Sequence, residues 1–403
     1  MTINTRRPSL RNSDCKQLTI IASVFVWLAI VARFTTASED YFESVPFKGI
    51  VAASFRSAKT PILSISWRPN GSSFAVTPKS AKVVDIWLVN TSGKNKKLQI
   101  SLQCTVQRNG MTPMCMAWSP DGSVLAVGFA NGNHGSLSVF RIPDDSRLAK
   151  SEFHSRDIVP YWSANDFLHP IHSLGFMSDV VLLTPDRDGN SKTVNLWKVG
   201  HSQSQNVHPW DSAKKREFSV TNGQVVSIDE QRVILYQTRD AEFVETWRSP
   251  SPGLTRCAIS NDGRYVMASS AFLGNRDDLD SGALTAHCWD TTTPSAKPIA
   301  LDFRNPLSVV ARRQEIQCLA FGPSSLCFVG TRPFFSKVRA QGAVTMFDLK
   351  ERERSSIAVR TDVTVIAVNE DAVVVGHDDG YISYLDISLT TEEEAGHPKN
   401  MKE

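Results

Sequence analysis

The side chains with chemistry to offer are scattered along this 403-residue chain, not gathered into motifs. No G-x-S-x-G elbow, H-E-x-x-H pair or phosphate-binding P-loop occurs, so the local signatures of serine, zinc and nucleotide hydrolases are missing. Two acidic stretches have the residue types of a calcium loop. Asp186-Arg187-Asp188-Gly189-Asn190 runs on into Ser191, Lys192 and Thr193. A full loop needs about five or more oxygen ligands and usually a distal bidentate carboxylate, so a hairpin turn is the simpler reading. In Asn275 to Gly282, Asp277, Asp278 and Asp280 surround Arg276, which fits a solvated loop. His154, His169, His172, His201 and His208 lie in or beside connecting segments, and His287 and His377 lie within repeated units. No CxxC or HxxxH spacing marks zinc. The expectation is no metal, no cofactor and no local catalytic motif, although paired carboxylates brought together in space would leave no such signature.

What remains is aromatic and basic. Ser155 to Pro170 carries Tyr161, Trp162 and Phe167, and Gln205 to Lys215 carries Trp210. Leu301 to Gln314 carries Arg312 and Arg313. Thr331 to Gln341 carries Arg332, Phe334, Phe335, Lys337 and Arg339. Aromatic residues and Arg are enriched at interface hot spots. Trp162, Trp210, Phe334, Phe335 and Arg339 are therefore the expected partner-binding residues. The competing reading is that Trp162 and Trp210 fold back over strand edges.

The elements that must position these residues are repeats. Thr112 to Ile142 reads as an alternating apolar strand, a Pro-Asp-Gly turn, an apolar strand, a Gly-rich turn and a third alternating strand. The same order recurs at Pro61 to Val89, His169 to Val199, Gly253 to Thr291, Gln314 to Leu349 and Asp362 to Ile387, with a weak copy from Lys215 to Trp247. A fourth strand follows most copies, as at Lys97 to Cys104 and Glu242 to Trp247. The prediction is an all-β, seven-bladed β-propeller of four-stranded antiparallel blades. The last copy has no room for a fourth strand before Glu392-Glu393-Glu394. The lone strand Phe47 to Phe55 is expected to supply it and close the ring near Tyr381 to Ile387. In such a meander the loops between second and third strands share a face with those joining one blade to the next. The five partner-binding candidates are expected on that face.

These units resemble the WD-repeat family over roughly residues 45 to 388. The resemblance rests on Trp118-Ser119-Pro120-Asp121-Gly122 and its near copies Trp67-Arg68-Pro69-Asn70-Gly71 and Ile259-Ser260-Asn261-Asp262-Gly263. It rests also on third-strand aromatics at Trp87, Phe140, Trp197, Trp289 and Phe347, and on the Asp residues Asp290, Asp348 and Asp386. Only Trp289-Asp290 is a literal Trp-Asp pair. The family's Gly-His pair before the first strand is missing, and so is most of its buried Asp-His-Ser/Thr-Trp network. What the resemblance implies is a protein-binding scaffold.

Leu18 to Ala32 is an uncharged apolar run behind a basic stretch, followed by Thr35-Thr36-Ala37. Residues 1–37 read as a signal peptide, cut after Ala37, or as an uncleaved anchor, with the apolar core at 18–32. Residues 38–390 form the propeller and 391–403 a polar tail. The basic flank places the propeller outside the cytoplasm, either free or tethered. The net charge of +3 falls to −1 without Arg6, Arg7, Arg11, Lys16, Arg33 and Asp14, so no affinity for nucleic acid follows, and membrane contact is expected only through an uncleaved N-terminus. Cys104, Cys115, Cys257, Cys288, Cys318 and Cys327 follow that segment. Cys115, Cys257 and Cys318 fall at equivalent places in apolar strands, which suits core thiols better than disulfides. Two other readings stay open. One is an extracytoplasmic hydrolase or lyase using the central channel, which three or more convergent carboxylate, His or Arg side chains at the channel mouth would favour. The other is a membrane-anchored exchange factor of the secretory pathway, with the charge bias against it.

Overall fold

The computed structural model describes residues 43–44, 50–92, 97–143, 158–185, 194–201, 203–207, 218–221, 223–229, 232–239, 242–249, 254–270, 286–293, 297–301, 314–323, 325–333, 342–359 and 361–387. The chain divides into two compact units, Met1–Glu43 and Ser44–Glu403. The second is a seven-bladed β-propeller, each blade an antiparallel meander. Blade one comprises Ile62–Trp67, Ser73–Pro78, Val83–Ser92 and Lys97–Gln107, from the inner to the outer strand. Blade two comprises Thr112–Trp118, Val124–Asn131, His134–Arg141 and Trp162–Phe167. Blade three comprises Gly175–Phe176, Val181–Pro185, Val194–Lys198 and Ser204–Val207, and blade four Phe218–Thr221, Gln224–Asp229, Arg232–Arg239 and Glu242–Arg248. Blade five comprises Leu254–Ile259, Tyr265–Ser270, Ala286–Asp290 and Ile299–Leu301, and blade six Gln314–Phe321, Leu326–Pro333, Ala343–Asp348 and Glu353–Ala358. Blade seven comprises Val363–Val368, Ala372–His377, Tyr381–Asp386 and, from the start of the ring, Ile50–Arg56.

The expected closure is present. Ile50 faces Asp386, Phe55 faces Ile382 and Arg56 faces Tyr381. The strand therefore caps an edge that would otherwise present unpaired N–H and C=O groups. Indoles stitch the same region: Trp67 Nε1 donates to Ala367 O at 3.2 Å, and Trp118 Nε1 donates to Ser66 O at 3.1 Å.

The core lies between blades. Ile62, Trp67, Phe74 and Val76 of blade one pack against Ala367, Val374, Ile382 and Tyr384 of blade seven. Val84, Ile86 and Val106 pack on the other side against Trp118, Leu125 and Phe140 of blade two. A second strand is thus buried on both faces, which explains the continuous apolar runs Phe74-Ala75-Val76 and Val373-Val374-Val375. Inner strands of blades one, two, five, six and seven each carry a register shift near their start, as between Pro113 and Cys115. The residue just past the shift faces a small residue: Gly128 in blade two, Gly330 in blade six, Gly376 in blade seven. A Cβ on Gly376 would stand 2.8 Å from Ile62 Cβ of blade one, so the glycine is what lets that seam close.

The turns after the inner strands form as their sequences indicate. In blade two Ser119 Oγ donates to Asp121 Oδ1 at 2.5 Å and accepts from Val124 N at 3.1 Å. In blade five Ser260 Oγ donates to Asp262 Oδ1 at 2.6 Å and accepts from Tyr265 N at 2.8 Å. Gly122 and Gly263 take positive φ there, 69° and 73°.

Two sequence expectations need correction. Cys257 is one position out of step with Cys115 and Cys318: those two face Gly128 and Gly330, while Cys257 faces Ala268 and its neighbour Arg256 takes the shared place. The slip arises because apolar runs alone do not fix register across a bulge. Cys104, Cys115, Cys288, Cys318 and Cys327 carry free thiols. Burial pushes the Cys104 and Cys318 thiols up to about 12, and those of Cys115, Cys288 and Cys327 higher still, which suits core residues. The other is the face assigned to Trp162.

Candidate functional site

Turns between first and second strands, and between third and outer strands, emerge on one face of the ring. Connections between second and third strands, and from each outer strand to the next blade, emerge on the other. The first face is tied together. Asn369 Nδ2 of blade seven donates to Gly71 O of blade one at 3.3 Å. Asp121 N of blade two donates to Asp179 Oδ1 of blade three at 2.8 Å, and Thr221 Oγ1 of blade four donates to Asn261 O of blade five at 3.2 Å.

Arg68 makes a further tie on this face. It stands where blades two and five have Ser119 and Ser260. Its guanidinium, only 3% exposed, reaches into blade two. Nε donates to Gly122 O at 2.7 Å, Nη1 to Pro143 O at 3.0 Å and Nη2 to Ile142 O at 3.3 Å, with Cζ 5.2 Å from the Trp118 ring centroid.

Trp162 belongs to this tied face, not to the one expected. It begins the outer strand of blade two, opposite Val139 near the end of the third strand. Its indole Nε1 donates to His201 O of blade three at 3.0 Å, and its ring meets Trp197 edge-on at 5.7 Å between centroids. Half-buried, it covers the seam between blades two and three. The expectation failed because the long connection Ile142–Tyr161 joins third and outer strands, which reverses the parity assigned to it. That connection leaves apolar surface beside the seam: Val159 is 75% exposed, and Tyr161 lies under Arg141, Cζ to centroid 4.7 Å.

Trp210, Phe334, Phe335 and Arg339 lie outside the described residues, as do the acidic stretches at 186–190 and 275–282, the tail and the N-terminal run. The strand ends that flank the four candidates are described. Val207 and Phe218, and Pro333 and Ala343, all end at the second face.

A charged group lies at those ends in blades six and seven. Arg332, next to the Phe334 segment, donates through Nε and Nη2 to Glu315 Oε2 at 2.8 and 2.7 Å. Glu315 and Arg332 face one another across the first two strands of blade six. Asp362 precedes the inner strand of blade seven, and Asp378 N donates to Asp362 O at 3.1 Å. Burial pushes the Asp362 carboxyl up, Asp378 raises it further, Arg332 opposes and Glu315 adds a smaller rise. Three carboxylates and one guanidinium thus act on one another at the inner ends of two blades. Sequence reasoning named Arg332 but missed Glu315, Asp362 and Asp378. The signal was available in the repeats: Glu315 and Asp362 each stand just before the buried first apolar residue of an inner strand, Ile316 and Val363.

Among the described residues no group of three or more His, Cys, Asp or Glu is placed to hold a metal ion, and no helix is long and apolar enough to cross a membrane. His377 is fully buried, its Nε2 2.9 Å from Ser383 Oγ. Compared with protein-family models and with curated proteins, the chain matches none.

Proposed function

We propose that this propeller is a protein-binding scaffold of the WD-repeat kind, exported or membrane-tethered, which engages a protein partner through its second face. The observation that carries the reading is the acidic group Glu315, Asp362 and Asp378 around Arg332, at the strand ends that frame the Phe334–Arg339 segment. Arg332 is already spent on Glu315, so the group carries excess negative charge suited to a basic partner surface beside aromatic anchors. The hydrogen bond from Trp197 Nε1 to Thr184 Oγ1, 3.0 Å, supports the family resemblance, because it joins a third-strand Trp to a second-strand Thr.

A second reading has an observation in its favour. Four convergent ionisable groups near the mouth of the ring, one of them a carboxyl with a raised pKa, also suit an enzyme with a general acid. It ranks second because none of the four hydrogen-bonds a described nucleophile.

The test is recovery of partners from native extract by the mature domain, with Phe334→Ala/Phe335→Ala and with Asp362→Asn/Asp378→Asn. Loss of a partner by both variants, with unchanged melting, supports the scaffold. Unchanged recovery by both removes this face from the proposal. Loss of folding in the Phe variant would make those residues structural. Turnover of an ester, glycoside or uronide panel that Asp362→Asn abolishes, with recovery intact, would favour the enzyme.

A further inference from the structure

One slot recurs in the third strands, at the residue facing a fixed second-strand position. Blades two, three, six and seven fill it with Ser138, Asn195, Thr345 and Ser383, and blade five with His287. Ser138 meets Ser163 at 3.0 Å, Thr345 meets Ser356 at 3.0 Å and Ser383 meets His377 at 2.9 Å. Blade one puts Asp85 there, opposite Val76 and Thr105. Asp85 is 9% exposed, and a buried carboxylate without a cation is costly.

Ser57, in the segment that leaves the ring-closing strand for blade one, is near enough to act on the Asp85 carboxyl, although its buried Oγ has no partner within full hydrogen-bond geometry among the described residues. Two residues from Asp85 along its strand, Trp87 packs its ring against Phe55 of the closing strand, 4.6 Å between centroids. Ser57 N and Ala58 N donate to Gly380 O at 3.1 and 3.2 Å, and Thr60 Oγ1 donates to Lys79 O. Strap and carboxyl therefore share one packed junction.

We propose that Asp85 and the segment Ile50–Ser57 form a proton-dependent latch on the ring. With the carboxyl neutral the strap packs shut, and loss of the proton loosens the closing strand so that water reaches the carboxylate.

The surroundings bear this out. Burial pushes Asp85 up to about 6, against a smaller opposing pull from the Ser57 hydroxyl. The nearby cations are turned outward: Arg56, Lys59, Lys79 and Lys82 are exposed, and Arg56 Nε donates to Ala58 O at 3.0 Å. On the outer strand the charged influence of Asp85 falls on Cys104, whose thiol is neutral, and the Arg68 guanidinium that also acts on Cys104 is held by carbonyls of blade two. The folded-state pKa lies above the unfolded one. The stabilisation is therefore fully present below about pH 4 and lost as pH rises through about 6.

The experiment is amide exchange of residues 50–57 in the full chain between pH 5 and pH 8, with the intrinsic rate at each pH divided out. The outer strand of blade four, Glu242–Arg248, is the internal reference. A carboxyl raised from 3.8 to about 6 allows about a 100-fold rise in opening of the strap over its whole titration, of which about 10-fold falls between pH 5 and pH 8, with the reference unchanged. Asp85→Asn should leave the strap protected and flat with pH. Asp85→Ser, which copies blades two and seven, serves the same purpose should the Asn variant fail to fold. A wild-type strap that opens no more at pH 8 than at pH 5, relative to the reference, overturns the latch. So does a variant that keeps the wild-type pH dependence.

Discussion

Replacing a buried valine by threonine normally destabilises a core, and at Val76 most of that cost should be offset. In blade three Trp197 faces Leu182, and Thr184, two residues on, accepts from its indole at 3.0 Å while donating to Pro185 O at 3.0 Å. In blade one Trp87 faces Phe74 in the same register, and the corresponding residue is Val76. Trp87 Nε1 is buried with no hydrogen-bond partner among the described residues. An unsatisfied buried donor costs roughly 1–3 kcal/mol, and each good bond returns about 1 kcal/mol. Against this, Val76→Thr gives up about 1 kcal/mol of methyl burial and must desolvate a hydroxyl, about 1–3 kcal/mol. Those terms nearly cancel only where the indole is satisfied, so a control without an indole isolates its part. In blade two the equivalent of Val76 is Val127, and Phe140 stands in the place of Trp87. Val127→Thr should destabilise by roughly 1–2 kcal/mol, and Val76→Thr should be more stable than that control by about 1–3 kcal/mol. Midpoints of guanidinium unfolding, followed by far-UV circular dichroism, give the comparison. If the two substitutions cost the same, the orphaned indole is not a defect of blade one and the reasoning fails.

Arg68→Ala should lower stability by roughly 3 kcal/mol or more, since it removes a buried cation that holds three carbonyls of the next blade; thermal melts decide it, and a Lys substitution that restores the wild-type melt would show that charge alone suffices. Gly376→Ala should cost about 1–3 kcal/mol, because its Cβ would stand 2.8 Å from Ile62 and Val365, and a neutral result would mean that the seam between blades seven and one gives way.

Blade number, closure and turns were legible because each is written in local residues. Trp118-Ser119-Pro120-Asp121-Gly122 contains its own turn, and the absent outer strand of blade seven left a vacancy that only Ile50–Arg56 could fill. Features that depend on parity or on a neighbouring blade were not. Trp162 reads as a loop aromatic, yet it starts a strand, because Trp-Ser-Ala-Asn-Asp-Phe has little apolar alternation. Arg68 reads as one more polar turn residue. Its partners Ile142 and Pro143 are more than seventy residues away, and no spacing rule connects them. Asp85 reads as a polar residue in an alternating strand, and its burial becomes visible only once strand pairing is known.

The first face of the ring is braced between blades. On the first face, turns of neighbouring blades bond to one another: Asn369 to Gly71, Arg68 to Gly122, Asp121 to Asp179 and Thr221 to Asn261. A change in the length of one such turn would break bonds in two blades at once. On the second face Pro333, Ala343 and Val207 pair within their own sheets, and Phe218 also bonds across a seam, its O accepting from Ser173 Oγ of blade three at 3.0 Å. Glu315, Arg332, Asp362 and Asp378 stand at or beside strand ends on that face. If a protein partner docks there as proposed, charges already fixed at strand ends lower the side-chain entropy lost on binding.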